Sequence, residues 1–385
     1  MPLVYLIAGE QSADVLGARL MAALRRRQPN VQFAGIGGSL MAEQGLSSLF
    51  PLRELALMGL LEVVPRLLSL RRRLAQSVAD IAARRPNVVV TIDSPGFTLR
   101  VLRAITPLGI PRAHYVAPQV WAWREGRVRH FPGLWDRLLC LLPFEPPFFA
   151  RHGLPATFVG HPVLETGADT GDAARFRARF KLPSDARVVT VMPGSRSTEV
   201  SRLLPVLGQT LQRLPLDVTP VVPVAPPVAE AVQAGTRSWP AQPILVTDTA
   251  GKHDAFAASG AALTKSGTST LELAMAGVPM LVTYRVNPLS AAIARRLVRV
   301  QYAALLNLLL DRPVVPELIQ ADCHPDRLAE VLSGLLMDSD AAARQRAAFS
   351  EALALLRTPL GAPSDAAAAA VLDLINSERS ANPDG

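Results

Sequence analysis

Aromatic and basic side chains are concentrated in one short stretch of the chain, HYVAPQVWAWREGRVRHF. Trp121 and Trp123 are separated by one residue, Arg124 follows directly, and two further arginines come within the next five residues. Tryptophan offers an apolar ring with one polar N–H group, and guanidinium groups bind phosphate in a bidentate manner. These three residues are therefore candidates for binding an anionic, partly apolar ligand such as a phosphorylated glycolipid. The alternative is that the tryptophans are core residues and the arginines a solvated face.

A carboxylate follows a predicted strand in the segment TIDSPGF. Val88–Ile92 is a run of β-branched residues, which is typical of a buried strand, and Asp93 comes directly after it. A carboxylate at the end of a strand can take the proton from an attacking hydroxyl group, which makes Asp93 the candidate general base. The alternative is an Asx-type turn before Pro95.

Two loops that join a strand to a helix are candidate phosphate sites. In MPGSRSTEV, residues Gly194, Ser195 and Arg196 follow the predicted strand Val188–Met192. Backbone N–H groups at the start of the next helix favour a diphosphate, and Arg196 can clamp it with two hydrogen bonds.

The second loop repeats this pattern in SGTSTLELA. Ser266, Gly267 and Thr268 open a predicted helix, and Glu272 lies one turn further along. The free N–H groups suit phosphate, and Glu272 can accept hydrogen bonds from ribose hydroxyls. Ordinary helix capping is the alternative explanation for this loop, with Glu272 then a surface residue.

The start of the chain reads as a strand, a loop and a helix. Leu3–Ala8 is an apolar run, Glu10 and Ser12 lie in the following loop, and the helix is expected from about Asp14, which is its candidate N-cap. This order indicates a doubly wound sheet, whose ligands gather at the carboxyl ends of its strands. Glu10 and Ser12 are therefore candidate contacts for the acceptor, meaning the molecule that carries the attacking hydroxyl group.

Apolar residues and a cluster of arginines occupy residues 57–73. The apolar residues follow helical spacing and arginines cluster beside them, as expected of a peripheral membrane contact or an acyl-chain groove. Leu60, Leu61 and Leu68 are the candidate lipid contacts, with core packing as the alternative. Pro65 interrupts the pattern, so two short helices are expected instead of one.

Composition limits the remaining possibilities. The formal net charge of +8 suits anionic partners. The two cysteines are far apart, as in a reduced cytoplasmic protein, and no apolar run approaches the roughly 20 residues of a membrane-spanning helix. The string Asp338–Asp340 resembles a metal-binding motif but precedes a helical run, so helix capping is expected there. We therefore expect neither a metal nor another cofactor.

Strands alternate with helices in both halves of the chain, and the polar segment LETGADTGDAA lies between them. The pattern predicts an α/β protein with two Rossmann-like domains facing across a cleft. The expected boundaries are residues 1–165, residues 176–345, a helical segment at 346–377 and a flexible tail at 378–385.

Nine segments follow one another from about residue 5 to residue 335: AGEQSADVLGARL, ALMGLLEVVPRL, TIDSPGF, HYVAPQVWAW, LPFE, FVGHPV, MPGSRSTEV, SGTSTLELA and NLLLDRPVVPELIQ. In this order they resemble the motif set of the bacterial lipid-A-disaccharide synthases. Two positions depart from that pattern, because Gly96 replaces a second acid and Ala13 replaces a glycine. The departure at Gly96 concentrates the general-base hypothesis on Asp93.

The resemblance implies a GT-B glycosyltransferase that works without a metal and inverts the anomeric centre, with C-terminal helices that return to the first domain. It implies UDP-2,3-diacylglucosamine as donor and 2,3-diacylglucosamine 1-phosphate as acceptor. The products would be the β(1→6)-linked lipid A disaccharide 1-phosphate and UDP. Asn307 resembles a position near the nucleotide sugar, although it is equally a helix cap. A cytoplasmic protein of a Gram-negative cell, peripherally attached to the inner membrane, is implied, and a homodimer is compatible with it.

Three other functions remain open at this point. Another UDP-sugar enzyme of the same fold, such as a lipid-II-type transferase or an epimerase, would give other products. A non-catalytic nucleotide-binding module would bind UDP without turnover. A nucleic-acid binder is suggested by charge alone and lacks a recognised motif.

Overall fold

A computed structural model describes residues 1–55, 63–287 and 300–381, and the chain forms two compact units. Unit 1 comprises Met1–Pro162 together with Leu356–Gly385, and unit 2 comprises Val163–Leu355. Within the described residues, each unit has its own parallel sheet of six strands with helices around it. The α/β class and the two Rossmann-like domains predicted from the sequence are confirmed.

The sheet of unit 1 has the strand order β2-β1-β3-β4-β5-β6. Its strands are β1 Leu3–Ala8, β2 Gln32–Ile36, β3 Val88–Ile92, β4 Arg112–Tyr115, β5 Arg137–Cys140 and β6 Ala156–Phe158. Its helices are α1 Gln11–Arg27, α2 Ser39–Glu43, α3 Val63–Arg84, α4 Pro95–Ile105, α5 Val120–Trp123, α6 Glu145–Ala150 and, at the C-terminus, α15 Pro363–Ala381. Every residue of β3 is buried, as expected for a parallel strand covered on both faces.

The sheet of unit 2 has the strand order β12-β11-β10-β7-β8-β9. Its strands are β7 Val188–Met192, β8 Thr219–Pro223, β9 Ile244–Val246, β10 Ser259–Lys265, β11 Met280–Tyr284 and β12 Glu317–Ile319. Its helices are α7 Ala173–Phe180, α8 Ser197–Gln212, α9 Ala229–Gly235, α10 Thr249–Ala258, α11 Ser269–Met275, α12 Leu305–Leu310, α13 Pro325–Met337 and α14 Ser339–Leu355. Single-turn or slightly longer 3-10 helices occur at Leu52–Glu54, Thr106–Leu108, Glu125–His130, Pro162–Glu165, Ala168–Thr170 and Pro226–Val228.

Each sheet grows in two directions from its first strand, which creates a topological switch point. In unit 1 the chain moves from β1 to β2 on one side and then to β3 on the other. In unit 2 it moves from β7 to β8 and later returns to β10 on the opposite side. Ligands of such sheets bind at the carboxyl ends of the strands beside the switch point. The loops after β1, β3, β7 and β10 are therefore the candidate ligand-binding loops.

The C-terminal segment belongs to unit 1, where α15 packs on α1. Arg26 donates to Asp365 at 2.7 Å, and the backbone N–H of His161 donates to the carbonyl of Leu356 at 3.1 Å. The small side chains Ala366 and Ala367 are buried against this part of the core, so the two helices can approach closely.

Two predicted boundaries differ from the structure. The boundary at residue 346 falls inside α14, which belongs to unit 2 because the Gln345 side chain binds both backbone groups of Met280, at 2.8 and 3.1 Å. At the other boundary, α15 continues to Ala381, beyond the expected start of the tail at 378. Sequence periodicity does not reveal which sheet a helix packs against, and it locates helix ends poorly.

One local prediction was wrong for an identifiable reason. Asp14 does not cap α1, which begins at Gln11; its carboxylate instead accepts hydrogen bonds from the N–H groups of Gly38, Leu40 and Met41 at the start of α2. The prediction that Pro65 separates two short helices is not tested, because α3 is described from Val63 to Arg84 and the residues of the expected first helix lie outside the described residues. Among the helices that are described, none has the length and hydropathy needed to cross a membrane.

Candidate functional site

The loops after β1 and β3 are packed directly against each other in unit 1. The backbone N–H of Gly9 donates to the carbonyl of Ile92 at 3.3 Å. A Cβ atom at Gly9 would lie only 2.1 Å from the Cβ of Ser94, so any side chain there would force the loops apart. The absence of a side chain at Gly9 therefore lets Glu10 and Asp93 meet at the switch point.

The backbone that carries Asp93 is strained. Asp93 and Ser94 have φ angles of 54° and 45°, in the left-handed region that non-glycine residues rarely occupy. The Thr98 hydroxyl donates to both of their carbonyls, at 2.7 and 2.9 Å, and the Asp93 N–H donates to the carbonyl of Tyr115 at 2.9 Å. Strain held in place by several hydrogen bonds is common at functional sites.

The carboxyl group of Asp93 is more basic than an ordinary aspartate. Burial, and next the negative charge of Glu10, raise its pKa to about 6, although the hydrogen bond from the Ser94 N–H at 2.6 Å opposes the shift. The Ser12 hydroxyl donates to Glu10 at 2.5 Å and fixes its orientation. The structure thus brings Glu10, Ser12 and Asp93 together. A base with a pKa just below neutral is ionised at pH 7 yet still accepts a proton readily.

Val116 is a second residue with a strained backbone, and it follows the strand next to the one that precedes Asp93. It follows β4, the neighbour of β3, and its φ of 78° is an outlier for a β-branched residue. Its N–H donates to the carbonyl of Leu139 at 3.1 Å. No signal in the sequence indicated this residue, because a valine in an apolar context predicts an ordinary extended conformation.

The two tryptophans have different environments. Trp121 is half-buried, donates from Nε1 to Glu145 at 3.1 Å and packs edge-on against Phe144. Trp123 is 40% exposed, and the guanidinium of Arg124 lies 4.3 Å from its ring centroid. Trp121 therefore packs as the alternative interpretation, a core residue, would have it. Trp123 and Arg124 instead form an accessible aromatic and cationic surface.

Glu145, from the LPFE segment, is a buried carboxyl group that was not among the candidate residues. It accepts hydrogen bonds from the N–H groups of Leu141 and Leu142, both at 3.0 Å, in addition to the bond from Trp121. Burial raises its pKa to about 7 despite these bonds. Glu145 therefore fixes Trp121 to the loop after β5.

The predicted lipid patch is described only in part. Leu60 and Leu61 lie outside the described residues. Leu68 is 78% exposed on α3, and the exposed residues Arg71 and Arg72 lie on the same face, three and four positions later. Leu70 and Leu74 point the other way and pack against the core of unit 1.

The first candidate phosphate loop of unit 2 depends on a glycine conformation. Gly194 has a φ of 117°, and a Cβ atom there would lie 2.5 Å from Oε2 of Glu199. Ser195 is exposed, and so is Arg196, which reaches Oε1 of Glu199 at 3.3 Å. Arg196 is therefore accessible to a ligand at the start of α8.

The second candidate loop lies at the adjacent strand end. Gly267 has a φ of 154°, and Thr268 is exposed. The Ser266 hydroxyl is already engaged, since it donates to the carbonyl of Ala303 at 2.7 Å. Glu272 is not a surface residue: its side chain is 16% exposed and accepts a hydrogen bond from Lys252 at 2.8 Å.

Asn307 is buried, and its amide group is fully used within unit 2. Its Nδ2 atom donates to the carbonyl of Val315 and to Glu317, and its Oδ1 atom accepts from the N–H groups of Val314 and Val315. These four hydrogen bonds leave no capacity for a ligand. Glu317 in turn holds the backbone N–H groups of residues 303 and 304, so Asn307 supports the Ser266 loop indirectly.

Lys265 and Glu199 are the residues of this site that sequence reasoning missed. Lys265 ends β10, and its ammonium group donates to Oε1 of Glu199 at 3.1 Å. One signal was available, because the chain has only three lysines and this one directly precedes the SGTS loop.

No cluster of three or more histidine, cysteine or acidic side chains with metal-binding geometry occurs among the described residues. The aspartate string at 338–340 is a helix cap, as predicted, because Asp338 accepts hydrogen bonds from the N–H groups of Asp340 and Ala341.

The chain is similar to one protein family over nearly its whole length. The family model described as lipid-A-disaccharide synthetase matches residues 4–370. A lipid-A-disaccharide synthase of Granulibacter bethesdensis is 58% identical over 97% of this chain and 99% of its own length. One of Gluconobacter oxydans is also 58% identical, over 97% of this chain and 91% of its own.

Solved structures with the same architecture are distant in sequence. An S. aureus MnaA–UDP co-structure is 14% identical with a TM-score of 0.66, and the match covers 99% of this chain and 97% of that one. The calicheamicin glycosyltransferase CalG4 is 16% identical with a TM-score of 0.59, over 98% of each chain. A UDP-GlcNAc 2-epimerase of Neisseria meningitidis also has this fold, at 13% identity with a TM-score of 0.61, over 98% of this chain and 100% of that one. These structures therefore support the fold and not a particular reaction.

Proposed function

Because the chain belongs to the lipid-A-disaccharide synthetase family, we propose that it transfers the sugar of UDP-2,3-diacylglucosamine to 2,3-diacylglucosamine 1-phosphate. The products are the β(1→6)-linked lipid A disaccharide 1-phosphate and UDP. The observation that carries this proposal is the basic carboxyl group of Asp93 at the switch point of unit 1, together with the cationic, glycine-containing loops at the switch point of unit 2.

The proposed reaction is a single inverting displacement. Asp93 accepts the proton of the 6-hydroxyl group of the acceptor. At the same time, the oxygen of that hydroxyl group forms a bond to the anomeric carbon of the donor. The bond from that carbon to the diphosphate oxygen breaks on the opposite face, and its electron pair leaves with UDP. The pKa of about 6 suits Asp93 to this role, since it is free of a proton at pH 7.

The acceptor is assigned to unit 1 on the basis of the groups available there. Glu10 and Ser12 form a hydrogen-bonded pair that can bind sugar hydroxyls beside Asp93. Trp123 and Arg124 offer an exposed ring and guanidinium, which suit the apolar and anionic parts of a phosphorylated glycolipid.

The donor is assigned to unit 2, where the groups suit a diphosphate without a metal. Arg196 is accessible at the start of α8, a helix of 16 residues whose first N–H groups favour anions. The absence of side chains at Gly194 and Gly267 leaves room for Glu199 and Lys265 beside these loops. Glu272 remains the proposed ribose contact, oriented by Lys252.

Release of UDP tests this proposal. UDP is expected to appear only when both acylated substrates are present, because the acceptor hydroxyl is the nucleophile. The rate is expected to persist in excess EDTA, because cationic side chains and not a divalent ion neutralise the diphosphate. Release of UDP without acceptor would indicate hydrolysis, and complete loss in EDTA with recovery on adding magnesium would contradict the assignment of the cationic groups.

The proposal includes peripheral attachment to the cytoplasmic face of the inner membrane. Leu68 with Arg71 and Arg72 forms an exposed apolar and basic strip on α3, and such strips bind anionic lipid surfaces through both burial and charge.

Replacing Leu68 with serine is expected to weaken binding to anionic vesicles by about fivefold, because an apolar side chain can no longer enter the lipid. High salt is expected to weaken attachment of the parent protein only partly, since the apolar contribution is not screened. Leu360, which is 56% exposed in the same unit, provides the matched control in a Leu360→Ser variant. Equal vesicle binding by the Leu68→Ser variant and the parent in a sedimentation assay would rule out this strip.

A further inference from the structure

Lys265 occupies an unusual position for a lysine. It is the last residue of β10, whose preceding residues 261–264 are all buried, and it stands at the switch point beside β7. Its side chain is only 18% exposed, so the ammonium group has lost most of its contact with water. A partly buried ammonium is retained where it has a charged partner or binds an anion.

The two glycine loops make room for this side chain. A Cβ atom at Gly194 would lie 3.2 Å from Cδ of Lys265, and one at Gly267 would lie 3.4 Å from both Cε and Nζ. The lysine stem therefore runs between the loops that are assigned to the diphosphate. A side chain at residue 267 would therefore be in van der Waals contact with the ammonium group.

The charges around Lys265 are not balanced within the group. Glu199 is 6% exposed, and its Oε1 atom serves both Lys265 at 3.1 Å and Arg196 at 3.3 Å. One carboxylate thus faces two cations, which leaves one positive charge at the loops. Oε2 of Glu199 has no hydrogen-bond donor among the described residues, although it is buried beside Gly194. A net positive group between two glycine-containing loops suits an anion with several oxygens.

We propose that Lys265 binds the diphosphate of the donor and stabilises the charge that develops on the departing UDP, and that Glu199 positions its ammonium group. This inference rests on the proposed function. When the bond between the anomeric carbon and the diphosphate oxygen breaks, the electron pair remains on that oxygen. The Lys265 ammonium donates a hydrogen bond to it without transferring its proton. Lys265 therefore contributes both to binding and to turnover.

The test measures UDP and uridine affinity by titration calorimetry, because only UDP carries the diphosphate. Lys265→Met keeps most of the apolar stem and removes the charge. The variant is expected to bind UDP about tenfold more weakly, since a charged hydrogen bond is lost, while uridine affinity stays within about twofold. Lys181→Met, which removes an exposed lysine at the end of α7, is expected to change neither affinity.

Glu199 has a separate readout. Glu199→Gln keeps the charge of Lys265 but loosens its position, so kcat is expected to fall by about fivefold or more while UDP affinity is unchanged or higher. A purely structural role would instead lower stability and weaken UDP and uridine binding together. If Lys265→Met fails to fold because Glu199 loses its partner, the double variant Glu199→Gln/Lys265→Met removes both charges and allows the same comparison.

The possible failures are distinguishable. If the parent protein binds UDP no more tightly than uridine and releases no UDP, the proposed function fails. In the other case, the parent protein binds UDP more tightly than uridine and releases UDP in the reaction. If Lys265→Met then keeps the parental ratio of UDP to uridine affinity, only the role of Lys265 is overturned.

Discussion

Asp93→Asn is expected to lower turnover by about 100-fold or more while UDP affinity and the unfolding temperature stay near those of the parent protein. The substitution preserves the size of the side chain and removes its capacity to accept a proton, and general-base catalysis contributes on this scale. The measurement is kcat from UDP release with both substrates saturating. Turnover within threefold of the parent would show that another group takes the proton.

The pH dependence provides an independent check on the same residue. Asp93 must be ionised to act as a base, and its pKa lies at about 6, so kcat/KM of the parent should fall as the pH decreases below 6. The charge of Glu10 is one cause of the raised pKa. Glu10→Gln should therefore move this acidic limb to lower pH, whatever its effect on acceptor binding. An unchanged limb in Glu10→Gln would contradict the interaction between the two carboxyl groups.

Gly9→Ala is expected to lower turnover on the order of 100-fold, because a displacement of about 1 Å at a catalytic group has effects of this size. The new methyl group would lie 2.1 Å from the Cβ of Ser94, so the loops after β1 and β3 must separate and Asp93 must move. Overpacking of this kind should also reduce the free energy of unfolding by about 1–3 kcal/mol.

Gly96→Ala is the matched control for this substitution. Gly96 lies in the first turn of α4, two residues beyond Ser94, and a Cβ atom there has no neighbour within 4 Å. The variant should keep parental turnover and be at least as stable, since alanine favours helix over glycine by up to about 1 kcal/mol. Equal loss of activity in both variants would mean that the close approach of Gly9 and Ser94 is unimportant.

The sequence predicts the positions of loops in this protein better than the contacts between them. The β-branched run before Asp93 and the apolar run before Glu10 were sufficient to place both residues at strand ends, because a buried parallel strand has a recognisable composition. The parallel order of β1 and β3 then brings them together. The left-handed conformation of Val116 was not predictable, since it depends on tertiary hydrogen bonds and not on local propensity.

In the candidate site of unit 2, the sequence likewise predicts the loops but not the contacts between them. The phosphate loops are visible as glycine and hydroxyl residues after strands, but the ion pair between Lys265 and Glu199 joins residues 66 positions apart. Asn307 shows another limit. The resemblance implies a position near the nucleotide sugar, and the sequence did not show that the amide makes four internal hydrogen bonds. Spacing in a sequence does not show whether a polar side chain binds a ligand or other residues of the same chain.

Mass spectrometry of the products tests the central claim most directly. The protein is incubated with UDP-2,3-diacylglucosamine and 2,3-diacylglucosamine 1-phosphate, and the lipid fraction is analysed for mass and linkage. The account predicts one new species, a β(1→6)-linked tetraacylated disaccharide 1-phosphate, formed in equal amount with UDP and nearly absent with Asp93→Asn. A free diacylglucosamine, an epimerised donor, or recovery of both substrates unchanged from folded protein that binds UDP would contradict it.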